Sequence, residues 1–571
     1  MILQYAYSHN GDDYSPESDL DGLANGHESN SIVFPSKNLE LLSHLSLVDM
    51  GGDFDTVRGN DIWGWTDPET NREYALFGRT DGVAFVDISA PRTPIFLGFL
   101  PKTENTKNST WRDIKVYQNK AYIVADVKTI GDGTFNTNHG IQIFDLTILK
   151  NVESPPVIFS SSDHSDALMA AHNIAINEQT GTAIAMGVTL MNGNQGRAKY
   201  AFLLLDLNEP TSSPSFAPLK FDRESYTHDA QIVTYSGPDK DHHGKEIAFC
   251  SNDDVLAIID LKTNQFPQYL SSTTYPQVGY IHQGWLTEDQ RYFVNNDELD
   301  EQLYPGLIET ARTHIWNVED LDNPQYIGFH DLGLNTSDHN LFIHNNLLYE
   351  ANYTAGIRVY DLTRIAEGKL LEVAHLDTEP AITVSNSFDG AWGIYPFFKS
   401  GTIIASDKFQ GLIIGRLTDS LEIWRQENFQ LVDLNNPDAN GTLWGNLAAP
   451  DKDGLTNLQE FAIDSDPNSK TIENGISTSI RQFTSSSEPE TMQSFQTISF
   501  IRRLDASFMS YNPEYSESLM PDSWQGGFEF VEYSEGPTEN TRIETYRSTI
   551  PIEEFPSGQG LFLRLTHATA D

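Results

Sequence analysis

Cysteine is almost missing. Cys250 is the only one in 571 residues, so no intramolecular disulfide framework can exist. It lies in the apolar run "EIAFCSND", where a thiol reads as a small core side chain rather than a nucleophile. Basic residues are also scarce: 36 Lys and Arg face 81 Asp and Glu, a net charge of -45. Such a surface repels nucleic acid and anionic membranes, and it favours solubility, cation binding or a saline environment. No run of about 18 apolar residues is present, so no membrane span is expected. The start, "MILQYAYSHNGDDYSPESD", lacks a charged region followed by a long apolar one and is not a complete signal peptide. Either the protein is cytoplasmic or a leader is missing from this chain. The acidity favours the second, giving an expected extracellular or cell-surface location. No nucleophile elbow, P-loop, dinucleotide fingerprint or HExxH motif occurs. Sortase-type motifs and a terminal apolar helix are missing too.

What the chain has is a repeat. Strand starts align at Asn60-Asp61-Ile62, Arg112-Asp113-Ile114, His172-Asn173-Ile174, His228-Asp229-Ala230, His282-Gln283-Gly284, His339-Asn340-Leu341 and Ala391-Trp392-Gly393. The seven units are 52 to 60 residues apart. Each continues into a second apolar strand such as "EYALFGR", a turn, and a third such as "VAFVDIS". Six then reach a fourth, such as "PIFLGFL". Short β-branched and aromatic runs separated by turns predict an all-β fold. The period predicts a seven-bladed β-propeller. Unit seven lacks its fourth strand, and residues 38–50 ("NLELLSHLSLVDM") offer a spare one ahead of unit one. That N-terminal strand is expected to close the ring, leaving only short edges. A short calcium-loop linker and a small C-terminal β-sandwich-like module are expected to follow.

The third strands, of the form "VAFVDIS" followed by "APRTPIFLG", resemble LVIVD repeats. The order of units is similar to the choice-of-anchor B family of secreted bacterial proteins, over roughly residues 30 to 420. The resemblance implies a secreted or surface propeller and no particular reaction. Two positions depart from it: Asn317 stands where other units carry Asp, and Arg416 lies near that position in unit seven. The expected domains are 1–31, a flexible N-terminal segment; 32–425, the LVIVD-type propeller; 426–470, an Asp-rich calcium-binding-like linker; and 471–571, the C-terminal β module.

The repeat brings a histidine to one place in four consecutive units. His172, His228, His282 and His339 are therefore expected in an arc at one mouth of the channel. Three readings stand side by side, one of them a metal-free role in ligand recognition. In the first, each imidazole hydrogen-bonds neighbouring backbone or a carboxylate and locks unit to unit. In the second, the four hold a transition metal such as iron, copper or zinc. Asp61, Asp113 and Asp229, each at the position after the repeat's histidine position, would then be outer partners that orient the rings. Geometry speaks against that last point, because neighbouring side chains of a strand point opposite ways.

Beyond residue 430 the chain changes character. "APDKDGLTNLQEF" resembles an EF-hand-type calcium loop. The ligands would be Asp451, Asp453, the Leu455 carbonyl, Asn457 and Glu460, with Gly454 at the sharp turn. Position 1 is Ala449, which leaves one ligand short. From about residue 492, runs such as "FQTISFIRRLD" and "GLFLRLTHA" predict strands of a C-terminal unit. The leading functional expectation is a binding or scaffold protein of the bacterial surface. It would act as a monomer on a protein, glycan or small-molecule ligand, without nucleic acid or a membrane span. The alternative is a metal-dependent, oxidoreductase-like enzyme with the histidine cluster at its centre.

Overall fold

The computed structural model describes residues 34–571 except 127–138, 192–196, 209–225, 262–266, 382–383, 419–420, 422–423, 426–427, 435, 437–438, 471–474, 485–491, 504–505, 507–508, 517–522, 539–540, 553–561 and 570–571. The expected N-terminal segment 1–31 lies outside the described residues.

Strands form where the sequence alternates or runs apolar, and each repeat opens on one. We label β1 (Leu39–Leu45), then the opening strands β2 (Gly59–Thr66), β3 (Arg112–Tyr117), β4 (Asn173–Asn177), β5 (Asp229–Thr234), β6 (Ile281–Leu286), β7 (Asn340–His344) and β8 (Ala391–Tyr395), and finally β9 (Gly411–Leu417). Every opening strand begins the antiparallel ladder of its own sheet. The second and third strands are the most buried, as in Glu73–Arg79 and Gly82–Asp87, where every residue is inside. Strands covered on both faces read as continuous hydrophobic runs, hence "EYALFGR" and "VAFVD".

The structure corrects the expectation of a seven-bladed propeller closed by the N-terminal strand. The chain is all-β with several separate antiparallel sheets, and among the described residues none is closed or curled on itself. The units are also unequal. The sheet opened by β4 has three described strands, whereas the one opened by β2 has five, because Val157–Ile158 joins Ile95–Pro101 in parallel. Ser36–Lys37 similarly extends the sheet opened by β7. The physical reason is that each hydrogen-bond ladder ends at its own outer strand, and packing between sheets is made by side chains. β1 pairs antiparallel with β9, from Leu39 opposite Leu417 to Leu45 opposite Leu412.

Successive opening strands lie against one another from β2 to β8, and β8 also touches β2. Side chains fasten them to one another's backbone. Asp61 Oδ2 accepts from the Ile114 N–H at 3.1 Å, and Asp113 Oδ2 from Ile174 at 2.6 Å. Gln231 Oε1 accepts from Leu286 at 2.8 Å, and Gln283 Oε1 from Leu341 at 2.7 Å. Each bond satisfies a buried N–H that would otherwise cost roughly 1–3 kcal/mol.

After β9 come short helices, including a six-residue one at Asn457–Ala462, and then two further sheets. One has the order Ile476–Thr484, Met492–Arg503, Thr541–Ser548, Phe528–Glu535; the other pairs Met509–Ser516 with Phe562–Thr569. Among the described residues no helix is long and apolar enough to cross a membrane.

Candidate metal centre

The four histidines begin, immediately precede or lie just inside β4, β5, β6 and β7. Because those strands are neighbours, the rings form a continuous stack. Centroids are 4.5 Å apart for His172 and His228, 4.1 Å for His228 and His282, and 4.3 Å for His282 and His339. All four are buried, and Tyr226, Tyr280, Tyr353 and Trp392 pack around them.

The two nitrogens of an imidazole have separate roles here. His228 Nδ1 is 2.8 Å from the carbonyl oxygen of His282, and His339 Nδ1 is 2.5 Å from that of Trp392. A carbonyl can only accept, so Nδ1 carries the hydrogen. In the neutral ring Nε2 then holds a lone pair. Burial pushes the His339 imidazole down to about 3, which keeps it neutral at ordinary pH. Locking one sheet to the next and offering a ligand atom are thus compatible in one side chain.

The ligand atoms meet at Glu298. His282 Nε2 lies 3.8 Å from Glu298 Oε2, and His339 Nε2 lies 3.9 Å from Glu298 Oε1. One ligand atom from each of the three fits within 4.8 Å of the others. These separations exceed a hydrogen bond. Metal–nitrogen and metal–oxygen bonds of about 2.0–2.2 Å would bring such atoms to roughly 3–3.4 Å across an ion, a closing of about 0.4–0.9 Å. The Tyr353 hydroxyl donates to Glu298 Oε1 at 2.6 Å and steadies the carboxylate. His172 stands at the far end of the stack with Nδ1 3.3 Å from Asp126 Oδ2. The structure therefore brings two of the four expected histidines together with a carboxylate. His172 and His228 continue the stack without joining that group.

Glu298 escaped the sequence reading because it follows the second strand of its unit rather than opening one. The signal was the acidic run "DELDE" at 297–301. Asp61, Asp113 and Asp229 gather around Lys115, not around the rings. Lys115 Nζ is 3.5 Å from Asp61 and pairs closely with Asp113, and its charge also acts on Asp229. Burial raises Asp229 to about 7. Asp229 Oδ1 accepts from the Ala230 N–H at 2.6 Å. The alternation of a strand puts these carboxylates on the face away from the histidines.

In the linker, Asp451, Asp453 and Glu460 also place ligand atoms within 4.8 Å of one another. Asp451 Oδ1 accepts from Asp453 N at 3.1 Å, and Asp453 Oδ1 from Leu455 N at 2.7 Å, so the acids organise their own loop. Gly454 turns it at φ +107°, a conformation side chains disfavour. Thr456 and Gln459 then cap the Asn457–Ala462 helix reciprocally. Asn457 Nδ2 donates to the carbonyls of Leu443 and Gly445 at 2.8 and 3.1 Å. Asp451 Oδ2, Asn457 Oδ1 and Glu460 Oε2 are buried without a donor. Burial, then Asp451 and Asp453, push Glu460 up to about 8.

Clusters able to chelate a metal ion are therefore present. No family model matches this chain, and no curated protein matches it. Solved structures do, at low identity. The β-propeller domain of Cps50 (Swd1) from Myceliophteria thermophila shares 14% identity with a TM-score of 0.40, covering 66% of this chain and all of that one. The Pan2 WD40 domain of Neurospora crassa shares 7% with a TM-score of 0.42, covering 66% and 95%. A protein from Lactobacillus plantarum shares 11% with a TM-score of 0.34, covering 61% and 89%. The first two are described as β-propeller and WD40 domains, and none of the three is described as an LVIVD-repeat or choice-of-anchor B protein, so that finer expectation is not met by them. The chain is distantly similar, at low identity, to folds of that type.

Proposed function

We propose that this chain is a metal-dependent, oxidoreductase-like protein whose transition-metal ion is held by His282, Glu298 and His339. The observation that carries this reading is the pair of buried imidazoles turning Nε2 toward one carboxylate at 3.8 and 3.9 Å. Two histidines and one carboxylate are the donor set of non-haem iron sites, which keep coordination positions open for substrate. The Nδ1 bond of His339 to Trp392 fixes its tautomer, and Tyr353 orients Glu298, as outer partners of a metal site do. Metal content of protein purified without chelator tests the reading. About one equivalent of iron, copper or zinc per chain is expected. The double variant His282→Ala/His339→Ala should bind the ion at least 100-fold more weakly, and because both imidazoles are buried its melting curve is recorded to establish that it folds. Less than about a tenth of an equivalent in the wild type would leave the binding or scaffold reading in its place.

The linker supports a second ion. We propose calcium there, because three buried oxygens without donors belong to the acids and amide of one loop. With Ala449 at the first ligand position, the affinity expected is about 0.1–1 mM, which suits extracellular calcium. Chelation should raise proteolysis between about residues 430 and 470 and leave the unfolding of the preceding sheets in place. Limited proteolysis with calcium and with EDTA, on the native chain and on Asp453→Ala, measures this. Identical cleavage in all four samples would mean that the acidic run is only a solvated turn.

A further inference from the structure

The run Asp297–Glu301 serves two sides. Glu298 turns to the histidine pair, while Asp297 and Asp300 form a separate group with His314, all three buried. Asp297 is fixed by the N–H groups of Gly279 and Tyr280 at 2.7 and 2.6 Å and by the Tyr275 hydroxyl at 2.8 Å. Asp300 Oδ2 accepts from the Arg312 guanidinium, and its Oδ1 is buried without a donor. His314 is 0% exposed and stacks on Tyr275 at 3.9 Å and 17°. Its Nδ1 is 2.9 Å from the Tyr326 hydroxyl. Its Nε2 has no hydrogen-bond partner and faces Asp300 Oδ2 at 3.8 Å.

Two more buried carboxyl groups lie near enough to act on this group electrostatically. Glu301 is 3% exposed and Asp338 is 0% exposed, and neither has a donor on either oxygen. Asp338 feels Glu301, Asp300, Glu350 and Asp297 as repelling charges. Arg312 is the cation in direct contact. Four carboxylates against one guanidinium leave the nest short of positive charge. Glu301 also lines a cleft of about 510 Å³, together with Gln302, Asn386, Phe388, Asp389 and Lys408.

We propose that this nest binds a divalent cation of mixed nitrogen and oxygen preference, such as Mn²⁺, with His314, Asp300 and Asp297 as its core ligands and Glu301 and Asp338 beside them. An imidazole with carboxylates suits such an ion, whereas calcium takes oxygens alone. The site shares no ligand with the histidine-pair centre.

The test uses the full chain stripped with EDTA and dialysed. Bound Mn²⁺ is counted by the loss of the free-ion paramagnetic signal, in the wild type, His314→Gln, Asp338→Asn and His282→Ala/His339→Ala. We expect His314→Gln to weaken one equivalent at least tenfold and Asp338→Asn to weaken the same one. The double variant should keep that equivalent. Melting transitions establish which single variants fold, and either one that folds decides the matter. Wild-type stoichiometry and affinity in the folded single variants, or no Mn²⁺ on the wild type at about 1 mM, would overturn the proposal and leave a nest of acids that hold protons instead. Failure of the histidine-pair centre alone appears as wild-type behaviour of the double variant, so the two outcomes are distinguishable.

Discussion

A chain that begins after Met50 is expected to aggregate or to lose most of its thermal stability. β1 supplies Leu39, Leu42 and Leu45 to the core, and Leu47 and Met50 follow it, all five buried. They belong to two apolar clusters that also hold residues of β2, β8 and β9. Burying a side chain of this size is worth about 1.5–3 kcal/mol, so the loss amounts to roughly 8–15 kcal/mol. That is comparable to the whole stability of a typical domain. The deletion also bares the β9 edge from Gly411 to Leu417, which β1 pairs, and an exposed apolar edge recruits other chains. Soluble yield and a melting curve measure the effect. The milder Leu47→Ala should cost about 2–5 kcal/mol. If the truncated chain melts with the full-length one, β1 is dispensable and the pairing contributes nothing.

The second large effect is one of pH. Glu379 and Asp407 are buried side by side. Gln410 donates to Glu379 Oε2 at 2.9 Å, and the Phe409 and Gln410 N–H groups donate to Asp407 Oδ1, both at 2.8 Å. The remaining oxygens, Glu379 Oε1 and Asp407 Oδ2, have no donor. Burial, then the Asp407 charge, push Glu379 up to about 9. Its folded value is therefore above its unfolded one. The stability it contributes is full below about pH 4.5 and is lost as pH rises to about 9. Glu379→Gln keeps the shape and supplies an N–H permanently. It should match the wild type at pH 4 and exceed it by about 2–4 kcal/mol at pH 8, raising the melting temperature by several degrees. Melting at both pH values decides. An equal difference at pH 4 and pH 8, or a lower melting temperature at pH 8, would show that Glu379 carries no such proton.

The strands were legible because their chemistry is local. Alternation, β-branching and turns placed all seven opening strands within one residue of where they begin. What joins the sheets was harder to read, since the bonds run from side chains on one strand to backbone on the next. Asp61 and Asp113 looked like outer partners of the histidines because they occupy the repeat position after them. In the fold that position faces Lys115 and a neighbouring N–H. The candidate centre was half legible: His282 and His339 came from the repeat of opening strands, but Glu298 comes from the turn after its unit's second strand, a position that alignment did not cover. His314 and Asp338 carried no repeat signal at all, and their burial without partners emerges only from packing. In the linker the acids were legible because they lie within ten residues.

The five residues from Asp297 to Glu301 would connect the two proposed binding equilibria. Glu298 reaches one group of ligand atoms and Asp297 and Asp300 reach another, and the spacing between them is fixed by a single short stretch of backbone. An ion that draws Glu298 toward the histidines selects one conformation of that stretch. The same conformation is more, or less, suited to the ion beside His314. By thermodynamic reciprocity the second ion then alters the affinity for the first by the same factor. With both proposed ions bound, occupancy of either position would report on the supply of the other through one loop.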